Sequence, residues 1–429
     1  MSFYDLPSVK DQLMKCVRCG QCRMVCPVFA EVRQETVSPR GHVFMTQALR
    51  DGKVEPTQEL YDHFARCLLC ETCTSTCPSG ISIHEMNAAA RSYIEEQHPS
   101  ATKKLVFEKL WVNAKSLRKA TKAIRLSDSL GMRNMGRSLG LTRLLPGDMA
   151  KAEDILDKIP EKAAMDLLPE MNPALGETKY KVAYFLGCAT NLLSPSIAVA
   201  TVNVLTHNHC SVVIPKNSAC CGLPHVSNGK MGAAKKLVLQ NLKVFNALDV
   251  DYIITDCASC SASLRKEFLS FVLHGEGKEA EIEKFAGKVM DLTVFLTDVL
   301  HLEENLPPVK NAKKALPKIT YHDPCHLAKA QKIKEQPRKL LSANAGVEFV
   351  EMKNNDCCGG SGTYSLTHYD TSMKILAKKI ESVRETGAEV VATCCPSCTM
   401  QLKYGLRKNN MQSVAVKHPV ELINEVYYE

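Results

Sequence analysis

The stretch Asn354–Ser365, NNDCCGGSGTYS, sets Cys357 and Cys358 side by side and follows them with Gly359, Gly360 and Gly362. Neighbouring alpha carbons across a trans peptide lie about 3.8 Å apart, short of the roughly 4.4–6.8 Å that a relaxed disulfide spans. A structural bridge is a poor use for such a pair. The pair also occurs twice: Cys220 and Cys221 stand 137 residues upstream, followed by Gly222. The same spacing carries Cys188 to Cys325, and one residue more carries Cys257 and Cys260 to Cys395 and Cys398. A repeat of this kind marks a duplicated folding unit. Strand-like apolar runs (Val182 to Leu186, Val212 to Ile214, Tyr252 to Thr255) alternate with helix-like stretches, and the texture restarts near Ile319 beyond a Lys/Pro-rich joint, LPPVKNAKKALPK.

The chain has 429 residues, 45% of them hydrophobic, enough for two or three cores. Its 20 cysteines fall in short spaced clusters. In a chain this long, that pattern favours metal ligation over a secreted disulfide framework. The N-terminal MSFYDLPSVK lacks the layout of a secretory signal, and no run of about 18 apolar residues offers a membrane span, so a cytoplasmic, reducing compartment is expected. The net charge of +8 is concentrated: Ala101 to Ala150 holds eleven Lys or Arg against Glu108, Asp128 and Asp148. There Val106, Leu110, Leu117 and Ile124 recur at helical spacing beside Trp111, punctuated at Pro146-Gly147 and Pro160. These helices could lie on an anionic membrane, with Phe107 and Trp111 inserted and the lysines above, pack on a partner, or present a solvated face. No nucleic-acid partner is expected.

Two further runs precede the repeat. CVRCGQCRMVCP supplies Cys16, Cys19, Cys22, Cys26 and Pro27, and CLLCETCTSTCP supplies Cys67, Cys70, Cys73, Cys77 and Pro78. Three thiolates at this spacing wrap three corners of an iron–sulfur cube, while the fourth, turned away by the proline, reaches the other cluster. The expected sets are Cys16, Cys19, Cys22 and Cys77 for one cubane 4Fe-4S cluster, and Cys67, Cys70, Cys73 and Cys26 for a second. A zinc site needs only four ligands and leaves the third close cysteine and the proline unexplained. About forty residues separate Cys26 from Cys67, room for helices, so this part resembles the helical ferredoxin-type domain of quinone-linked dehydrogenases.

Each repeat supplies five thiols: Cys188, Cys220, Cys221, Cys257 and Cys260, then Cys325, Cys357, Cys358, Cys395 and Cys398. A cubane takes four protein ligands, so the fifth is a surplus. One explanation is a thiolate that bridges two irons and opens the cube. The segments YFLGC, ACCGLP, CASC, YHDPCHL, DCCGGSGTYS and CCPSC resemble the CCG domains of the heterodisulfide reductase catalytic subunit. The whole chain resembles the iron–sulfur subunits of glycolate oxidase, lactate utilisation enzymes and anaerobic glycerol-3-phosphate dehydrogenase. The resemblance implies two noncubane 4Fe-4S clusters on those ten cysteines. It also implies a FAD-containing dehydrogenase partner acting on a 2-hydroxy acid, and a membrane quinone-reactive or cytochrome subunit, or an electron-transfer flavoprotein, as further partner. No flavin motif appears in this chain. The alternative is a heterodisulfide-reductase-like subunit that itself reduces a disulfide. A metal-sensing regulator would rest on cysteine richness alone.

The expected fold is multidomain, α and α/β: a helical two-cluster ferredoxin domain (1–98), a basic helical linker (99–178), and duplicated α/β CCG domains (179–306 and 316–429). The copies differ. Cys394 stands beside the second ligand pair where the first copy has Asp256, either a spare core cysteine or an alternative ligand. His322, Asp323 and His326 surround Cys325, whereas Leu186, Gly187 and Ala189 surround Cys188. Proton-carrying side chains would suit a reacting cluster, making the second copy the more reactive; a packing role in support of the ligands explains them equally. Cys210, His84, His225 and His418 are expected to be structural.

Overall fold

A computed structural model of the protein describes residues 6–141, 148–157, 159–307 and 316–428. Pro146-Gly147 and residues 308–315 of the joint lie outside the described residues.

The strands of the repeat are short, β-branched or aromatic, and buried at their centres, as parallel strands covered on both faces must be. In the first copy β1 (Met171–Asn172), β2 (Tyr180–Tyr184), β3 (Cys210–Val213), β4 (Tyr252–Thr255) and β5 (Val289–Asp291) form a sheet of order β1-β3-β2-β4-β5. Only β1 runs antiparallel. In the second, β6 (Lys318–Tyr321), β7 (Glu348–Phe349), β8 (Val390–Ala392) and β9 (Ala415–Lys417) form an all-parallel sheet, β7-β6-β8-β9. Without β1 the two orders coincide, so the repeat in sequence is a repeat in topology. Tyr184 pairs with Ile254 and Tyr321 with Ala392 at matching registers. The central strands end together, and Cys188, Cys257, Cys325 and Cys395 follow within a few residues, at the carboxyl edge where open α/β sheets place ligands.

The copies are interlocked. The last helix, Pro419–Tyr428, buries Val420 and Ile423 with Val182, Tyr184 and Val204 of the first copy, and Asn208 Nδ2 donates to Tyr427 Oη at 2.8 Å. The N-terminal region is helical, as expected. Helices Pro27–Val32, Pro39–Arg50 and Gln58–Ala65 lie between the cysteine runs, and Ile83–Gln97 follows them. Ser38 caps Pro39–Arg50 by accepting the Gly41 N–H at 2.9 Å, one of the donors a helix start leaves free.

The linker departs from the expectation. Residues Lys104–Leu110 wind as a π-helix, and Trp111 N–H reaches back five residues to Val106 O at 2.8 Å. The wider turn puts Phe107 and Trp111 on one inward face. They stack at 5.6 Å and meet the His225 ring edge-on. Phe107 is only 5% exposed, so neither ring is free to enter a membrane. Exposed apolar residues of the linker instead include Leu105, Ile124, Leu126, Leu130, Met132 and Met135, with Leu139 and Leu141 beyond them. Among the described residues, no helix is long and apolar enough to cross a membrane.

Candidate metal centres

The two N-terminal runs gather their sulfurs crosswise. Cys16, Cys19, Cys22 and Cys77 line one small cavity, and Cys26, Cys67, Cys70 and Cys73 line another. The backbone is bent for this. Arg18 and Gly20 in one run, and Leu69 and Glu71 at equivalent places in the other, have φ of 58°, 79°, 51° and 60°, a region that non-glycine residues enter at a cost. N–H groups thereby turn toward sulfur: Leu69 N donates to Cys67 Sγ at 3.3 Å and Phe29 N to Cys26 Sγ at 3.4 Å. Burial pushes the Cys26 thiol up to about 12 and raises Cys70 and Cys73 as well. Such sulfurs stay protonated unless a cation compensates the thiolate charge, which is what ligation by iron does.

Each repeat also gathers its five thiols. In the first, contacts run from Cys188 through Cys220 and Cys221 to Cys260 and Cys257, with Cys188 Sγ 3.7 Å from Cys220 Sγ. In the second they run from Cys325 through Cys357 and Cys358 to Cys398 and Cys395. The glycines permit the crowding: Gly359 has φ +81°, and a Cβ there would meet Ser372 O at 2.8 Å.

Two histidines bear on what these sulfurs hold. His322 is fully buried, and neither ring nitrogen makes a well-formed hydrogen bond with protein. A ring nitrogen and the sulfurs of Cys358 and Cys398 lie within 4.8 Å of one another. His225, next to Cys221, is equally buried and equally orphaned, and burial pushes its ring down to about 4. A buried imidazole without partners is costly. A cofactor carrying its own sulfur acceptors, seated on Cys221 or Cys358, would satisfy these nitrogens, so the residues fit an iron–sulfur cluster in each repeat.

The other proton-carrying candidates are differently placed. Asp323 is held by Arg338 through two bonds of 3.0 Å, and Arg338 also grips Glu351. His326 has both nitrogens engaged, Nε2 at 3.0 Å from Leu69 O and Nδ1 at 3.1 Å from Ser259 Oγ. His418 contacts Asp256 O through Nε2, His84 pairs with Thr74, and Cys210 is buried in β3.

Cys394 has a partner of its own: Tyr321 Oη donates to its sulfur at 3.3 Å. In the first copy Asp256 accepts from Tyr184 Oη at 2.7 Å. The two residues therefore fill the same acceptor role beneath equivalent tyrosines. Cys394→Ala should leave iron content unchanged and cost about 1 kcal/mol for the lost acceptor, measured by iron assay and thermal unfolding.

The four sulfur sets are linked in succession. Cys22 of the first acts electrostatically on Cys26 and Cys73 of the second. Cys26 and Cys70 of the second share an apolar cluster with Cys325 and Cys357 of the third. Cys395 of the third touches Cys257 of the fourth, beside an Ala258 N–H bond to Cys394 O at 2.8 Å. Cys19, in the first set, is exposed.

Where the N-terminal helix Ile83–Gln97 faces the repeats, burial beside Glu71 and Glu267 pushes the Glu85 carboxyl up to about 7. The raised value means the folded protein binds a proton between pH 4.5 and 7 that the unfolded chain releases. Stability therefore falls as pH rises through that window, by at most about 3 kcal/mol. Glu85→Gln should raise the melting temperature at pH 8 and leave it unchanged near pH 4.

A chain that gathers two cysteine runs crosswise and then two five-thiol α/β units has the make-up of an iron–sulfur protein, and known proteins agree. Residues 12–81 match the 4Fe-4S dicluster domain, residues 182–265 and 319–403 the cysteine-rich domain, and residues 98–156 the linker region of the glycolate oxidase iron–sulfur subunit. The probable glycolate oxidase iron–sulfur subunit of Bacillus subtilis is 32% identical over 96% of this chain and 94% of that protein. The glycolate oxidase iron–sulfur subunit of Escherichia coli is 26% identical over the same shares. Lactate utilization protein A of Exiguobacterium is 31% identical over 57% of this chain and 97% of that protein. The chain belongs to the family of glycolate oxidase iron–sulfur subunits.

Proposed function

We propose that this chain is the electron-transfer subunit of a flavin-linked 2-hydroxy acid dehydrogenase, of glycolate or lactate type. The observation that carries the reading is the succession of four linked sulfur sets, from exposed Cys19 to the largely buried cysteines of the first repeat. Iron–sulfur clusters bound there, cubane in the N-terminal domain and noncubane in the repeats, would supply one-electron carriers. The ligands are the eight N-terminal cysteines in their crosswise sets and the five cysteines of each repeat. The domains run over 1–98, 99–178, 179–306 and 316–429. Exposed Met14, Val17 and Met24 beside the first set favour docking of the FAD-containing partner at that end. The test is copurification with a flavoprotein, and 2-hydroxy-acid-dependent dye reduction that needs both chains. Dye reduction by the flavoprotein alone at the same rate would sink the reading.

Placement at the inner face of the cell membrane rests on the basic helix pair Ala114–Ser129 and Met132–Ser138, with the exposed Leu and Met side chains named above. Expected is co-sedimentation with anionic phosphatidylglycerol vesicles at low salt, reduced at least about tenfold by Leu130→Glu with Met135→Glu, and absent with neutral vesicles.

A second reading has its own observation. Among the described residues, a histidine nitrogen closes on the repeat sulfurs in the second repeat alone, where His322 lies within 4.8 Å of Cys358 and Cys398, and this favours that repeat as a place where this chain itself reduces a disulfide. Reduced viologen with a small disulfide and the isolated chain decides it: no thiol release removes the reading.

A further inference from the structure

The two repeats gather matching sulfurs but do not surround them with matching charge. Behind the paired cysteines of each runs a long helix, Met231–Asn246 in the first repeat and Tyr369–Thr386 in the second. Gly222 approaches Ala234 on the one as Gly359 approaches Ser372 on the other, which sets an offset of 138 residues between the helices. That offset pairs Asn241 with Lys379. Both are 2% exposed, and both hold the loop that carries the adjacent thiols. Asn241 Oδ1 accepts the Ala219 N–H at 2.8 Å, and its Nδ2 donates to Cys220 O at 3.1 Å. Lys379 Nζ donates to Asn354 O at 2.7 Å and lies 3.6 Å from Met352 Sδ. One repeat sets a neutral amide at this place, and the other an ammonium.

An ammonium buried this deeply is costly without a negative partner. Among the described residues, Lys379 pairs with no carboxylate. Asp356 is exposed, and Asp323 is held by Arg338. Burial pushes the ammonium down to about 8, against the pull of Cys358, Asp356, Cys357 and Asp323, so it keeps its charge at neutral pH. The negative charge that remains to balance it is that of the sulfur set. A cluster held by five thiolates is net negative, and its reduction potential depends on net charge and surroundings. We propose that Lys379 is a fixed positive charge that holds the second repeat's cluster at a higher reduction potential than the first repeat's, so that electrons collect there; the inference rests on the electron-transfer reading above. The lysine acts across space, without bonding to iron, and its attraction for an added electron is strong where water is excluded. Two electrons leave the reduced flavin of the partner, its protons pass to water, and the clusters take up the electrons one at a time. The second repeat adjoins the N-terminal sets and the first lies beyond it. With Asn241 in place of a cation, the first repeat fills last.

The test is an anaerobic redox titration of the cluster-loaded full chain, followed by absorbance and electron paramagnetic resonance. The two repeat signals are identified as those lost in Cys357→Ser and in Cys220→Ser. In the parent the second repeat's cluster should be reduced first. At any one potential its ratio of reduced to oxidised form should exceed the first repeat's at least about tenfold, which is about 59 mV for a one-electron couple. Lys379→Gln keeps a donor for Asn354 O and removes the charge. It should lower the second repeat's ratio at least about tenfold, with iron content and the other three signals unchanged. Lys379→Arg, which keeps the charge, should return the ratio toward the parent value. A first repeat reduced before or together with the second in the parent would overturn the proposal, whatever the variants do. An unchanged ratio in Lys379→Gln with full iron would make Lys379 a support for the loop alone, and leave the relay standing. If the titration runs as expected but flavoprotein and 2-hydroxy acid never reduce the second repeat's cluster, the relay falls, and the collecting role with it.

Discussion

Cys77→Ser should abolish the cluster on the Cys16, Cys19, Cys22 side and spare the one on its own run, while Cys26→Ser does the reverse. The parent should carry about sixteen irons in four clusters, and each variant about four fewer. A single run has its three close sulfurs on one loop, and only the crosswise fourth completes a set, because Pro27 and Pro78 send Cys26 and Cys77 out of their own loops. Cys77 lines the cavity of the first run, and Cys26 that of the second. Anaerobic iron assay gives the count, and electron paramagnetic resonance of the reduced proteins shows which signal is lost. The reduced parent should show spin coupling between two neighbouring clusters, and each variant a simpler uncoupled spectrum. If Cys77→Ser instead removed the signal dependent on Cys67, the crosswise sets would be wrong. A hydroxyl ligates iron less well than thiolate, so Cys→Ala is the firmer control for partial occupancy.

The legible parts were those fixed by local rules. Ligand spacing is a local constraint, so the crosswise grouping and both five-thiol sets could be read from the cysteines and are gathered as expected. The strand Tyr252–Thr255 matches its apolar run residue for residue, because a buried parallel strand writes its own composition. What escaped is non-local. The membrane alternative for the linker needed Phe107 and Trp111 on an outward face, and the π-helix that turns them inward leaves no mark in a 3.6-residue pattern. His225 passes for an ordinary core histidine until its two unpartnered nitrogens are seen beside Cys221. Cys394 stayed ambiguous because its partner, Tyr321, lies 73 residues away in sequence. The short antiparallel β1, and the last helix crossing to the first sheet, depend on tertiary packing that no single segment encodes.

Lys230→Met should destabilise the protein by about 1–3 kcal/mol, the cost of leaving a buried carboxylate short of one of its charged partners. The Lys230 side chain is 6% exposed and lies 3.1 Å from Glu95, which is 2% exposed, and 2.9 Å from Glu108. Burial works against the ammonium, but the two carboxylates hold its pKa above the usual lysine value. Glu95 belongs to the N-terminal helix, Glu108 to the π-helical turn and Lys230 to the first repeat, so one cation ties three regions. Without it, Glu95 keeps only Lys103, at 2.8 Å, and the Ser100 N–H. Nearby, Arg91 donates to Phe64 O and Cys67 O from one side and to Ser227 O at 2.7 Å from the other, and Gly229 allows backbone contact, since a Cβ there would meet Arg91 O at 2.7 Å. Chemical unfolding should show the loss. Lys230→Met combined with Glu95→Gln should recover part of it, because the penalty belongs to the buried carboxylate left short of a partner rather than to the missing lysine. A double variant no more stable than Lys230→Met would mean that packing, not charge, holds the domains together. The same joint holds Cys67 against the repeats, so, in the complex proposed above, Lys230→Met should also slow dye reduction while leaving iron content intact.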